Sequence, residues 1–443
     1  MSNALVLSSS LISGGSLNTN KLSLNLRFAD DASLTARKGP TPVFTRASTG
    51  TCINEFGYVV SNAINSPRFE HDSVSPYSCK GLLIEEQRTN LTKVSNGYFA
   101  SAFDWVSSSI DVSDAVYTGP DGSIESASLI EESTSLISLS RSIYQAAYFF
   151  TPVASKPYTM SIWVSIQTGS PAIQYVQLAF STGGFGSSAY VNFDILNGVV
   201  GTIGSGITSS SIKSYRDGWY RISATSNSVA SPTDSKFQLG IVAASGSTRN
   251  EAYVTNTSRT LLIYGAQTEA GAGATSYIPT STSIVVRSVD VCTISSASFS
   301  SFYNQSEGTF VVGASREFNV GSNLGLLGIN DGTSSEGFLV FFDESGPGVY
   351  CQSRPSSTQI SPLLFNNGSL FRIGVSYNAT QASRSNNAGT VSSQTVTNSV
   401  ATLTNMQIGG MLGLTFPWNG CISDIAIYKK KVTDSMLQNV SKL

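Results

Sequence analysis

Apolar and polar residues alternate along this chain in short runs, and the runs end at Gly, Asn, Ser or Pro. In "KLSLNLRF" (21–28), Leu22, Leu24, Leu26 and Phe28 share one side, and Lys21, Ser23, Asn25 and Arg27 share the other. Period two marks a strand with one buried face, whereas a helix needs a repeat near 3.6, which is almost absent here. "PYTMSIWVSIQ" (157–167) aims Met160, Ile162 and Val164 inward; "IQYVQLAF" (173–180) aims Val176, Leu178 and Phe180; "GWYRISAT" (218–225) aims Tyr220, Ile222 and Ala224. Two hairpins are legible from their turns. "CINEFGYVV" (52–60) has Gly57 free to take a positive φ, and "NFDILNGVVG" (192–201) turns at Asn197-Gly198. "ARKGPTPVFTRAST" (36–49) carries two prolines and reads as an extended, edge-like segment. Near the other end, "TDSMLQNV" predicts a short helix with Thr433 as N-cap and Asp434 in the first turn. Met436 at the third position leaves the reciprocal capping box unmade.

A chain of 443 residues is too long for one ordinary core. The alternation groups into three units: an extended N-terminal module (1–90), a sandwich over 91–285, and a second sandwich over 292–443, with "TSYIPTSTSIVVRSVDV" (275–291) as linker and re-entry strand. The predicted class is all-β: two antiparallel β-sandwiches of jelly-roll type, an N-terminal β module too extended to stand alone, and a short C-terminal helix. No heptads and no β-helix repeat occur, so a long fibre shaft is not encoded.

Composition narrows the function. Net charge is −2 and only 12% of residues are charged, which excludes the clustered Lys and Arg a nucleic-acid binder needs. At 40% hydrophobic content the chain can fill cores, so disorder is excluded too. The five cysteines, Cys52, Cys79, Cys292, Cys351 and Cys421, are scattered and form no CxxC, against zinc and against a disulfide scaffold. A Cys52–Cys79 bridge is the pairing left open, with buried free thiols the simpler expectation. Residues 1–20 lack a basic n-region, and no apolar run reaches the roughly 18 residues of a membrane span. The expectation is therefore assembly in a reducing cytoplasm and release by lysis.

One stretch is more specific. "ARKGPTPVFTRASTGTCINEFGYVVSNAINSPRFEHD…GLLIEEQRTNL" resembles a segment recurring in phage-encoded virion and tail-fibre-like proteins: Gly39, Phe44 through Ser48, Pro67-Arg68-Phe69, His71-Asp72 and Gly81 through Leu91 all match its pattern. "YTMSIWVS", "NFDILNGVVG", "GWYRIS" and "YGAQTEAGAGATSYIPT" are similar to carbohydrate-binding jelly rolls of the same phage proteins. "WNGCISDIAIYKKKVTDSML" is similar to the ending of concanavalin A-like, laminin G-type jelly rolls. These resemblances imply a virion surface protein and no particular reaction, because such folds host lectins, hydrolases and structural parts alike.

Candidate chemistry is sparse. Glu85 and Glu86 are adjacent, so in a strand they point to opposite faces and cannot flank one glycosidic bond. Pairing with Arg68 or Arg88 to pin the junction between units is the expected role. His71 is the only histidine, and no G-x-S-x-G elbow accompanies it. The acids of concanavalin-like glucanases follow E-x-D-x-x-E, but Asp343 and Glu344 stand side by side. No cofactor is expected. Jelly rolls often hold a structural Ca²⁺, for which Asp194, Glu269, Asp331 and Asp343 are candidate ligands. Sugar binding has a better physical case, since sugars stack on aromatics and hydrogen-bond to amides and guanidinium groups. Opposite the core positions lie Trp163 with Ser161 and Ser165, Tyr175 with Gln177, and Trp219 with Arg221. If their strands are neighbours, one polar sheet face displays three aromatics; the competing reading packs them under loops or against another subunit.

The resulting expectation is a non-enzymatic phage surface protein, on tail or capsid. Its N-terminal region would dock to other virion proteins, its sandwiches would contact host glycans, and it would act as a homo-oligomer, a trimer by the habit of fibres, without nucleic acid or membrane insertion. The alternatives are a head-fibre or decoration protein with no receptor role, and a polysaccharide depolymerase.

Overall fold

The computed structural model describes residues 22–100, 105–145, 150–167, 171–316, 324–332, 337–342, 348–354, 358–364, 370–395, 402–411 and 417–443. Asp343 and Glu344 lie outside them, as does the segment 1–20. The described residues form two antiparallel β-sandwiches and a short C-terminal helix.

In the middle sandwich, one sheet runs Ile207–Ser214, Trp219–Asn227, Pro157–Ser165, Thr260–Ala270, Ala127–Glu132, Ile110–Tyr117. The facing sheet runs Val199–Ile203, Tyr190–Asp194, Tyr175–Ala179, Gln238–Ile241, Arg141–Gln145, Trp105–Ser108. Alternation decides the filling: Met160, Ile162, Val164, Val176, Leu178, Phe180, Ile222 and Ala224 are buried between the sheets, and Tyr220 packs at their margin. The turn after Tyr190–Asp194 takes four residues, 195–198, rather than two. Only Gly198 has a positive φ (65°), and the Asp194 carboxylate accepts from the Asn197 backbone N–H at 3.0 Å.

The C-terminal sandwich is completed from the front of the chain. Its last strand, Gly420–Tyr428, pairs on one edge with Gly308–Arg316. Its other edge is divided between Leu22–Leu26, which takes Ile425 to Tyr428, and Cys79–Ile84, which takes Gly420 to Ile422. Phe69–His71 extends the same sheet, and Val43–Thr45 forms the border strand of the opposite sheet by pairing with Val291–Ser295. Pro40 and Pro42 precede that border strand, where no ladder donor is missed. Residues 22–90, read from sequence as a unit of their own, are thus sheet strands of this sandwich and a cover for the other. Leu24, Leu26 and Phe28 are fully buried in the C-terminal core, each burial contributing about 1.5–3 kcal/mol. Gly81 (φ 114°) is required at the join: a Cβ there would lie 2.1 Å from the Ile422 carbonyl oxygen.

The final helix spans Asp434–Val440, and the Thr433 hydroxyl caps it by accepting from the Met436 backbone N–H at 3.3 Å. Cys52, Cys79, Cys292 and Cys421 are free thiols, so the Cys52–Cys79 bridge is not made. Burial pushes the Cys52 thiol up to about 12, where it stays protonated. No described helix is long and apolar enough to cross a membrane.

Candidate functional site: a cleft at the seam of the sandwiches

Three charged segments of the N-terminal region meet the linker in a buried knot. Arg68 donates to Glu85 (2.7 Å), to the Thr51 carbonyl oxygen (2.9 Å) and to Asp290. Arg46 reaches the other Asp290 oxygen at 3.2 Å, and Arg287 reaches Glu85 at 2.9 Å. Ser276 gives Glu85 its backbone N–H (2.7 Å) and its hydroxyl (2.6 Å). Glu269, buried beside them, accepts from the Thr275 backbone N–H at 3.0 Å. Three guanidinium groups therefore face three carboxylates, the balance that buried charges require. Burial alone would raise the Glu85 carboxyl, but Arg287, Arg68 and the Ser276 hydrogen bonds hold it down to about 2. Glu86 turns the other way and pairs with Arg88, whose Nε donates at 2.8 Å. His71 is buried, its Nδ1 lying 3.0 Å from the Ile53 carbonyl oxygen.

Next to this knot lies a cleft of about 710 Å³. One wall is the hairpin formed by Gly50–Ile53 and Val59–Asn62 together with Glu70, Leu83 and Glu85; residues 272–277 and 419–421 close the ends. The floor is the outer face of the middle sandwich, and the sheet register orders it into rungs. Lys213, Arg221 and Trp163 stand side by side across three strands; Ser211 and Ser223 line the next rung and Ser209 and Thr225 the third. Ser161 and Thr159, which continue those two rungs, are buried behind the lining, and the Thr159 and Thr225 hydroxyls bond each other at 2.8 Å. Trp163 needs a local irregularity to sit flat there. The strand Thr260–Ala270 bulges opposite it, and Gly265 takes φ 68° in the bulge; a Cβ at Gly265 would come within 2.7 Å of the Trp163 ring. The rings of Tyr277, Tyr215 and Tyr264 meet Trp163 edge-on at 5.4, 5.7 and 6.1 Å, and the Arg221 guanidinium lies over it at 4.3 Å.

The three aromatics do not form one platform. Trp163 and Trp219 do lie on the outer face of one sheet, but that face is covered by Ile53 and Val59 of the N-terminal hairpin and by Tyr277; they are 1% and 3% exposed. Tyr175, half-buried, and Gln177 belong to the opposite sheet. Gln177 is fully buried and committed: its amide donates to Asn192 (2.7 Å) and accepts from the Asn250 backbone N–H (2.8 Å). Of the five sugar-site candidates, Trp163 and Arg221 line the cleft; Tyr175, Gln177 and Trp219 do not. Ser209, Ser211 and Lys213 are not among the sequence candidates, although "ITSSSIKS" (207–214) alternates legibly and sets all three on the outer side. Asn419 joins from near the chain's end, and no local pattern signals it.

Two of the calcium candidates, Asp194 and Glu269, are engaged otherwise, and Asp343 lies outside the described residues. The Asp194 carboxylate accepts from Asn197 and Gln174, and Glu269 serves Thr275. No group of three metal-ligating side chains occurs among the described residues.

No family model and no curated protein matches the chain. The solved structures it is similar to include domains of sialidases and of an arabinanase. The CBM40 module of Ruminococcus gnavus IT-sialidase, bound to alpha2,3 sialyllactose, matches at 16% identity and TM-score 0.28, covering 32% of this chain and 84% of that one. Domain 4 of AbnA, a GH43 extracellular arabinanase from Geobacillus stearothermophilus, in complex with arabinotriose, matches at 12% and 0.28, covering 39% and 82%. The leech intramolecular trans-sialidase matches at 15% and 0.29, covering 34% of this chain and 26% of that one. At such scores the likeness carries no argument about function.

Proposed function

We propose that this protein is a non-catalytic, glycan-contacting surface protein of a bacteriophage particle, and that the seam cleft receives the sugar. The observation that carries the reading is the cleft floor: the hydroxyls of Ser209, Ser211 and Ser223 beside a guanidinium-capped indole, opening through the exposed Thr208, Ser209, Ser211 and Asn227. Hydroxyls that both donate and accept match the ring of a sugar. Absence of catalysis is supported by Glu85, the buried acid of the cleft wall. Held near 2, it has no proton to give at neutral pH, and both its oxygens are engaged by Ser276, Arg68 and Arg287. The particle assignment rests on the resemblance of residues 36–91 to virion proteins. In this reading the N-terminal residues dock to other virion proteins, and several copies, three in a fibre, add avidity to a weak single site.

The test is a glycan array probed with the full chain and with Ser211→Ala/Ser223→Ala. Glycan binding that weakens in the double variant while the unfolding midpoint holds supports the reading; a blank array overturns it. Imaging of labelled particles separates tail fibre from capsid decoration. Release of reducing ends from host polysaccharide would overturn the non-catalytic part.

A further inference from the structure

We infer that copies of this chain associate head to tail, the lysine run 429–431 of one copy seating on an acid-rimmed aromatic patch of the next. The contact would hold together the several copies of the proposed fibre, and it stands whether or not the cleft takes a glycan.

Four surface segments interlock to make the patch: the tip of the N-terminal hairpin (54–58), the loop 72–78, the turn 119–126 and the corner 215–218. Arg216 is their hub. Its guanidinium lies 4.3 Å from the centre of the Tyr58 ring and 5.8 Å from that of Tyr77, and it donates to the Phe56 carbonyl oxygen at 2.6 Å. The Ser73 hydroxyl ties its loop to the corner by donating to the Ser214 carbonyl oxygen at 2.6 Å. Both rings rest on glycines: a Cβ at Gly122 would lie 3.0 Å from the Tyr58 ring, and one at Gly57 would run into the Tyr77 ring. The rings are thus fixed before any partner arrives, which lowers the ordering cost of binding. Around them Phe56, Val74 and Ile124 are 57%, 44% and 82% exposed. Aromatic rings and an arginine with an apolar surround have the composition of an interface centre, not of an idle surface.

Charge selects the occupant. The four segments hold one guanidinium and five carboxylates. Asp121 is turned onto Ser123 and Ser126, and Asp217 accepts from Arg216 Nε at 3.1 Å. Glu55, Asp72 and Glu125 form no ion pair among the described residues. A lysine suits such a surface: its carbon stem covers apolar groups while its ammonium meets ring faces and carboxylates. The chain supplies lysines of its own in "YKKKV" (428–432), its only run of three like charges. Lys429 is exposed and Lys431 half-buried, and neither side chain forms an ion pair among the described residues, whereas Lys430 pairs with Glu307. The run follows Gly420–Tyr428, whose first residue borders the cleft, so about 30 Å of strand carries it away from the seam. No ion pair among the described residues joins run and patch within one copy. Two different surfaces that fit each other give a head-to-tail contact, which closes into a ring or runs on as a chain.

Sedimentation velocity of the full chain, with no glycan present, tests this. Association is expected at low salt and should weaken as salt rises, because exposed charges are screened. Lys429→Glu/Lys431→Glu and Glu55→Lys/Glu125→Lys should each weaken it about a hundredfold, since like charges then meet. An equimolar mixture of these two variants should associate again, because the unaltered patch of the first meets the unaltered lysines of the second; misfolding gives no such rescue. Phe56→Ser should weaken association roughly tenfold. A chain that is monomeric at every concentration overturns the inference, as does association that ignores both charge reversals or a mixture that stays apart. Association lost in Phe56→Ser but indifferent to the lysines overturns the lysine run as occupant and points to patch meeting patch. None of these results touches glycan binding, and a blank glycan array leaves the contact standing.

Discussion

Glu85 is ionised in a place where burial alone would keep it protonated. Its folded carboxyl sits near 2, below the ordinary 4.5, because Arg287 and Arg68 need its charge. The unfolded chain therefore takes up the proton first as pH falls. The contribution of Glu85 to stability, up to about 3 kcal/mol, is complete above about pH 4.5 and is lost progressively towards pH 2. Glu85→Gln should cost about 3–5 kcal/mol at neutral pH, since two guanidinium groups then face a neutral amide. Denaturant unfolding at pH 7, 4.5 and 3 checks both statements: the wild type should lose stability between pH 4.5 and 3 relative to the variant. Parallel pH profiles would show that the carboxyl is not held down. Single residues also show how far sequence reaches. Arg68 and Glu85 stand 17 positions apart, just before Phe69–His71 and just after Cys79–Ile84, two strands that a turn can join. Asp290 and Arg287 lie some 200 positions further on, and no local spacing points to them.

Among the elements, the hairpin formed by Gly50–Ile53 and Val59–Asn62 has the widest reach, because it turns an outer sheet face into an interior one. Period two assigns Trp163 to the side of its strand away from Met160, Ile162 and Val164, and there it lies. What covers that side is set by a hairpin about a hundred residues upstream, which alternation within one strand cannot reveal. Local elements are different: Thr433 and Met436 are three residues apart, so cap and helix are both written in one stretch. All four tryptophans, Trp105, Trp163, Trp219 and Trp418, are at most 9% exposed. Native fluorescence should accordingly be blue-shifted and poorly quenched by acrylamide. Val59→Asp, which places a charge under the hairpin, should red-shift part of the emission and raise quenching through Trp163 and Trp219. Quenching unchanged in a folded variant would mean that something else covers that face.

For the whole molecule, partnership rather than pattern is the hidden information. The two sheets of the middle sandwich are built from strands between Trp105 and Ala270 alone, whereas the C-terminal sandwich draws Leu22–Leu26, Val43–Thr45, Phe69–His71 and Cys79–Ile84 from the front of the chain. Alternation reports which face of a strand is apolar but not which strand lies beside it, so residues 1–90 read as a separate module until pairing is seen. A fragment 292–443 should fail to fold by itself, because Gly420–Tyr428 would present a long unpaired edge. Supplying 22–90 in trans should restore a soluble β spectrum. If 292–443 unfolds cooperatively alone with the midpoint of the full chain, the front strands are ornamental.

The pairing of Leu22–Leu26 with Ile425 to Tyr428 also sets a clock for biosynthesis. The first of these strands leaves the ribosome some 400 residues before its mate, an interval of about 20–80 s at ordinary translation rates. Through that wait Leu24, Leu26 and Phe28 have no permanent home, so the nascent front must be shielded or parked. A message cut short anywhere before the last strand yields a product that cannot close, and such products should be the ones that proteases and chaperones find.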